Sequence, residues 1–381
     1  MNHSALTKHL YSKQTEMLDS LESLVNRESP STEKHLLDLL AEQLKARFQE
    51  RGAECLLLES ATHGNHVQAS FPPPGSTESR PGLILCHYDT VWPPGTLSSH
   101  PFRVEGKRAW GPGIFDMKAS IVMVEYAMRA MHALGMQLPR RVNILLTSDE
   151  EISSPSSRAL IEHMASEAEY VLVMEPPSKD GALKTARKGI GKFILEINGR
   201  AAHAGTQPEQ GVSATHELAY QILNLHNLND PEQGTTINVG VVGGGTRRNV
   251  IAAQAFAEVD VRAWTPEEAR RITQAVLNLK PHSPGAELQI RGGFVRPPME
   301  RNHVNAELFR RARDIGKDLG LDLEESATGG GSDANFTAAL GVPTLDGLGA
   351  IGNGAHADDE HIRVDLLPMR TALLAALLLN L

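Results

Sequence analysis

Carboxylates and histidines stand at the ends of apolar runs in this 381-residue chain. Leu83-Ile84-Leu85-Cys86 runs into His87-Tyr88-Asp89, Val142-Asn143-Ile144-Leu145-Leu146 leads to Asp149-Glu150-Glu151, and Val171-Leu172-Val173-Met174 ends in Glu175. A divalent cation needs several nitrogen and oxygen donors converging on one point, with hydrogen-bonded partners holding them still. Residues i and i+2 of an extended segment face the same way, so Asp89 can orient the imidazole of His87. Three adjacent acids repel one another unless cations neutralise them or water solvates them, and both readings of Asp149-Glu150-Glu151 stay open. Asp116, after the turn Gly111-Pro112-Gly113, stands where a helix cap would, so cap and ligand are both compatible with its place. His356, in Gly354-Ala355-His356-Ala357-Asp358-Asp359-Glu360, reads as an exposed loop histidine or as a ligand.

The elements that must position these groups follow from periodicity. Apolar runs of four or five residues separated by helical stretches predict strands of a largely parallel sheet buried on both faces. Polar groups gathered just past the strand ends are what a ligand site on an open α/β sheet requires. Met117–Leu134 reads as a helix stopped at Gly135, and two helices are expected between about Lys13 and Glu50, with Leu36, Leu37, Leu39, Leu40 and Leu44 at helical spacing. Pro72-Pro73-Pro74-Gly75-Ser76 and Pro93-Pro94-Gly95 read as loops.

Near Gly189 the style changes. Phe193–Ile197, Thr236–Val241, Ala255–Val261 and Glu287–Ile290 read as strands, with the alternation of a half-exposed antiparallel sheet in the middle two. Val212–Leu225 and Pro266–Leu279 read as helices. This block is expected to form one sheet with two helices, inserted into a larger domain that resumes after about Arg296. A helix follows around Ala306–Leu319, and Gly329-Gly330-Gly331 forms a loop. Gly243-Gly244-Gly245 and Gly329-Gly330-Gly331 lack the lysine and spacing of a phosphate-binding loop and read as turns.

Composition narrows the function classes. Apolar residues at 41% and charged residues at 22% are those of a globular protein, and the net charge of −9 argues against a bulk grip on nucleic acid or on anionic membrane. Cys55 and Cys86 cannot make a disulfide framework, and Cys86 reads as a buried thiol. The first residues lack an apolar core of signal-peptide length, and Thr371–Leu381 is too short to span a bilayer and reads as a buried helix. A cytoplasmic protein is expected. His63, His66, His100, His282 and His303 carry no partner motif and are expected in solvated loops. Arg187-Lys188 is compatible with receiving an anionic substrate and with a solvated basic pair, and Arg262 alternates with Asp260 on a strand.

Taken together, HYDTVWPPG, WGPGIFDMKAS, TSDEE, MEPP, GRAAHAG, the GGGTRRNV–DVR segment and GGGSDANF…GNGAHADDE resemble the M20 metallopeptidase family over nearly the whole chain. The glutamate carboxypeptidase branch looks nearest. The resemblance implies an α/β, zinc-exopeptidase-like catalytic domain with a mostly parallel central sheet at 1–187 and 297–381. It implies an inserted α+β lid and dimerisation domain at 188–296, with a four-stranded antiparallel sheet and two helices. By the same resemblance His87 and Glu175 bind one metal, Glu151 and His356 the second, and Asp116 bridges both. Glu150 is the general base, Asp89 supports His87, His203 stabilises the oxyanion, and Asn249 and Arg262 hold the substrate. Two Zn2+ per chain are implied, with Co2+ or Mn2+ compatible with the same donors. Glu rather than Asp at position 175 looks like the carboxypeptidase and deacylase members. The expected activity is release of a C-terminal glutamate or a similar residue from a small peptide. An N-acyl-amino-acid deacylase is the alternative, and a non-catalytic, metal-stabilised binding protein is the alternative of another class. A homodimer through the inserted domain is expected, as is lid closure about hinges near Lys188 and Arg296.

Overall fold

A computed structural model describes residues 3–75 and 79–381. Ser76, at the end of the first proline-rich loop, lies outside the described residues. The chain forms two compact units, one of Met1–Thr185, Arg301–Thr328 and Ser332–Leu381, the other of Ala186–Glu300 and Gly329–Gly331.

The first unit is built on a six-stranded sheet, in the order Glu54–Leu58, His66–Phe71, Val142–Thr147, Gly82–His87, Tyr170–Val173, Thr344–Leu345. The first two strands join antiparallel and the other four run parallel to one another. Every residue of Gly82–His87 is buried, which is why its sequence is a continuous apolar run rather than an alternation. The helices Ala119–Ala133 and Leu367–Asn380 pack on each other, and Val124, Leu374 and Leu378 join Ile84 in one core. The C-terminal apolar run is thus a buried helix. No helix among the described residues is long and apolar enough to cross a membrane.

The N-terminal helices Gln14–Val25 and Lys34–Gln49 match the periodicity, and a further helix, His3–Ser12, precedes them. The helix expected from Met117 begins at Ala119. Asp116 (φ −118°, ψ 90°) and Met117 (φ −139°, ψ 38°) are not helical, the residue before the helix is Lys118, and the Asp116 side chain makes no capping bond to it. Its carboxylate is used elsewhere.

In the second unit the strands Thr236–Gly244, Gln254–Ala263, Gly189–Asn198 and Glu287–Arg296 form one antiparallel sheet in that order. The helices Ala214–His226 and Pro266–Leu277 cover one face, and Leu218, Leu225, Ile272 and Val276 meet Phe193, Leu195 and Ile197 in a separate core. Both helices are capped by side chains, since Ser213 Oγ accepts from His216 N and Thr265 Oγ1 from Glu268 N, each at 3.2 Å.

Three local expectations are corrected. His66 is not in a solvated loop but buried in its strand, where Nε2 meets Ser156 Oγ at 3.1 Å and Nδ1 meets Ser148 Oγ at 3.2 Å. Those two hydroxyls satisfy a polar ring inside the sheet. Gly243 and Gly244 complete a strand rather than a turn. Arg187-Lys188 is not a solvated pair. Arg187 is buried and donates to the Gly330 and Gly331 carbonyls at 3.0 Å each, and Lys188 donates to Gly234 O over the Trp264 ring. Cys86 is buried and Cys55 half-buried, both as free thiols.

Candidate metal centre

Three of the parallel strands deliver acids and a histidine to their carboxyl ends. His87 ends one strand, Glu150 and Glu151 form a short turn after Thr147, and Glu175 follows Val173 by two residues. A short second sheet brings in the rest. His361 pairs with Trp110, so the segment that leads on to Asp116 starts beside the one that comes from His356.

The side chains converge. His87 Nε2 lies 3.0 Å from Asp116 Oδ1 and 3.6 Å from Glu175 Oε1. His356 Nε2 lies 3.1 Å from the Glu151 carboxylate and 3.5 Å from Asp116 Oδ2. Asp116 therefore offers one oxygen to each histidine. Donor atoms of His87, Glu150 and Glu175 fall within 4.8 Å of one another, as do those of His87, Asp116 and Glu151.

Asp89 organises this cluster from behind. Its carboxylate accepts from Ser31 Oγ at 2.7 Å and from the main-chain N–H groups of Glu150 and Glu151 at 3.2 Å each. His87 Nδ1 lies 3.0 Å from the Asp89 carbonyl and 3.5 Å from its Oδ1. Oxygen acceptors around Nδ1 hold a proton there, which leaves Nε2 as the nitrogen that would meet a cation. Asp149, the first acid of the triplet, belongs to the scaffold. Its oxygens accept from the Ser156 and Ser157 amides and hydroxyls, which fixes the turn that carries Glu150 and Glu151.

The electrostatics are those of acids short of positive charge. Burial pushes the Glu151 carboxyl up to about 7, with the neighbouring Asp116 adding to the effect and the bond to His356 opposing it. Hydrogen bonds to Asp116 and Glu151 lift His356 to about 10 against its partial burial. His87 is raised well above its ordinary value, because Asp116 and Asp89 outweigh the cost of burying its charge. Burial acts to raise Asp116, but His356 and His87 hold it well below the usual carboxylate range. The carboxylates thus favour positive charge on both rings. Two imidazoles and three carboxylates, converging with one carboxylate shared, fit a pair of divalent cations of the zinc, cobalt or manganese kind.

Two supporting residues were not legible as such. Ser31 sits in an undistinguished loop with no signal. Arg370 lies just before the apolar run read from the sequence, and a cation in that helix, Leu367–Asn380, is its one signal. It is buried and donates to the carbonyls of Gly347 (2.7 Å), Gly349 (3.1 Å) and Gly181 (3.2 Å), while Gly349 N–H donates to Glu175 O at 2.9 Å.

The remaining candidates lie in the second unit. His203 is exposed on a loop whose neighbour carries Asn249, the two segments being joined by Ala204 N–H to Asn249 O at 3.0 Å. His203 Nδ1 accepts from the Gly205 and Thr206 amides at 3.1 and 3.2 Å, which places its proton on Nε2. Arg262 is paired within its strand. Nε and Nη2 donate to Asp260 at 2.7 and 3.0 Å, and Nη1 to Gly329 O at 3.3 Å. Of the five guanidinium N–H groups, those contacts leave two.

Known proteins resemble this chain in sequence and in fold. The sequence profile described as peptidase family M20/M25/M40 matches residues 83–380. Carboxypeptidase G2 of Pseudomonas sp. (strain RS-16) is 30% identical over 376 residues, which is 97% of this chain and 90% of that protein. Succinyl-diaminopimelate desuccinylase of Dechloromonas aromatica (strain RCB) is 30% identical over 315 residues, 77% of this chain and 81% of that protein. The crystal structure of an M20 family metallo-carboxypeptidase from Sulfolobus solfataricus shares the fold with a TM-score of 0.77 at 18% identity, over 96% of this chain and 99% of that one. With its mostly parallel sheet, its antiparallel second sheet and its converging donors, the chain belongs to the M20/M25/M40 peptidase family and is a hydrolase of that metallopeptidase and amidohydrolase group.

Proposed function

We propose that this protein is a dinuclear-metal hydrolase that cleaves an amide bond next to a free carboxylate, releasing glutamate or a similar amino acid from the C-terminus of a small peptide. The observation that carries the reading is the Asp116 carboxylate, with Oδ1 on His87 and Oδ2 on His356. His87, Asp116 and Glu175 would hold one cation, and Asp116, Glu151 and His356 the other. Zinc is the proposed metal, on the mixed imidazole and carboxylate donors. Bound there, the pair would supply Lewis acidity to the amide carbonyl and lower the pKa of a water toward about 7.

The chain's own groups do the rest. Glu150 accepts a proton from the attacking water as the C–O bond forms, and returns it to the nitrogen as the C–N bond breaks. His203 donates its Nε2–H to the oxyanion of the tetrahedral stage. Asn249 and the remaining Arg262 N–H groups hold the substrate, the latter through its carboxylate. A homodimer made through the second unit is proposed as well. It is supported by Val241 and Val242 on the edge strand Thr236–Gly244, which are about half exposed, and by exposed Leu223 on the neighbouring helix. A cytoplasmic setting is proposed on the free thiols and the absence of any disulfide.

Similarity to a desuccinylase supports a second reading, an N-acyl-amino-acid deacylase using the same donors and base. Products from a panel of acyl-glutamates, dipeptides and acetyl-amino acids, offered to the zinc-loaded protein, separate the two. Glutamate release from bulky acyl-glutamates and from dipeptides supports the carboxypeptidase reading. Turnover confined to small acyl groups supports the deacylase, and metal binding without any turnover returns a binding protein.

A further inference from the structure

The backbone around Asp116 cannot satisfy its own amides. Gly113 is left-handed (φ 68°), and the non-helical angles at Asp116 and Met117 interrupt the approach to the helix. A side chain at Gly113 would also bring a Cβ within 2.4 Å of Thr90 Cγ2, so the turn is held to glycine by space as well as by φ. The amides of Gly113, Phe115 and Asp116 point to one place, and there they meet the carboxylate of Glu360. Its Oε1 accepts from Phe115 N at 2.8 Å and Asp116 N at 3.1 Å, and its Oε2 from Gly113 N at 2.9 Å. The Trp92 indole N–H supplies a fourth bond, to Oε2 at 2.7 Å. Main-chain amides gathered in this way form an anion nest, here filled by a residue only 3% exposed.

The connectivity gives this carboxylate its meaning. Trp92 lies on the loop that leaves His87, the three amides surround Asp116, and Glu360 lies on the loop that carries His356. One side chain therefore joins the segments bearing both histidines and the carboxylate between them. We propose that Glu360 is a positioning residue, which fixes the Asp116 loop against the His87 and His356 loops and so sets the affinity of the cation pair. The inference rests on the metal-centre reading above. Glu360 touches neither cation nor substrate; it acts through Asp116.

The test uses the full-length protein and two variants. In Glu360→Gln, one oxygen can still accept from Phe115 and Asp116, but the amide NH2 faces the N–H groups of Gly113 and Trp92, donor against donor. Trp92→Phe removes one donor and leaves the amide nest whole. Zinc affinity is read by competition with a chromophoric chelator, beside thermal unfolding of the metal-free proteins and separate kcat and KM. Glu360→Gln is expected to lose about 10–100-fold in zinc affinity, the range for partners that orient metal ligands. Trp92→Phe is expected to lose less, in the same direction, and the kcat loss in both should exceed any change in KM. A purely structural role would lower the unfolding temperature of the metal-free variants while leaving zinc affinity at the wild-type value, and that result overturns the proposal. Should Glu360→Gln not fold, unchanged zinc affinity in Trp92→Phe overturns it instead. A wild-type protein that binds no pair of zinc ions fails the metal-centre reading itself, which a wild-type titration reveals before any variant is compared.

Discussion

The two units treat their polar side chains differently. In the first, His87 and Asp89 are essentially inaccessible, Asp89 is held by three donors, and the loop of Asp116 is held by a carboxylate from a distant segment. In the second, the exposed His203 ring accepts from amides of its own loop, and Arg262 pairs with Asp260 on its own strand and donates to the Gly329 carbonyl. The first pattern suits donors that must be in place before a cation arrives, because carboxylates cannot be brought together cheaply without one. The second suits groups needed only when substrate charge appears, where a fixed tautomer matters more than a fixed frame. Preorganisation is thus concentrated in one unit and polar availability in the other.

The comparison breaks most visibly at Glu150. Glu150→Gln should lower kcat by about 10²–10⁴-fold, the usual contribution of a general base, while the protein keeps two metal ions by elemental analysis. Full activity would remove Glu150 from the chemistry. Next, His203→Ala should cost about 10²–10³-fold in kcat, the range for one oxyanion donor, with metal content unchanged. A loss of metal from that variant would erase the distinction between the units.

The smallest effect sharpens the first unit alone. Glu151 is pushed from 4.5 to about 7 and His356 from 6.5 to about 10, so both folded values lie above the unfolded ones. The metal-free native chain therefore holds protons that the unfolded chain has released. Its stability declines as pH rises, between 4.5 and about 7 for Glu151 and between 6.5 and about 10 for His356. Zinc takes both groups deprotonated, so its affinity should rise across the same range with protons expelled on binding. Titration calorimetry near neutral pH in buffers of different ionisation enthalpy measures this, and pH-independent affinity without proton release would count against the ligand set.

Much of the first unit could be read from the sequence because its strands are buried on both faces. Such strands appear as unbroken apolar runs, and the fold requires polar groups at their carboxyl ends, which placed His87, Glu150, Glu151 and Glu175. The alternation of Gln254–Ala263 made the second sheet equally plain. What stayed hidden depends on partners distant in sequence. Asp116 reads as a cap because an apolar helix follows it, and only Glu360 reveals why the backbone departs from the helix there. His66 reads as a loop histidine because the two serines that satisfy it lie far along the chain. Arg370 shows the reverse case, an anomaly visible in the sequence whose carbonyl partners were not.

The central claim is that five side chains of the first unit hold a pair of cations. Anomalous difference maps at the zinc edge, from crystals grown with excess zinc, test it most directly. Two peaks are predicted, one contacted by His87 and Glu175, the other by Glu151 and His356, with Asp116 touching both. A single peak, or none among these five side chains, would contradict the account.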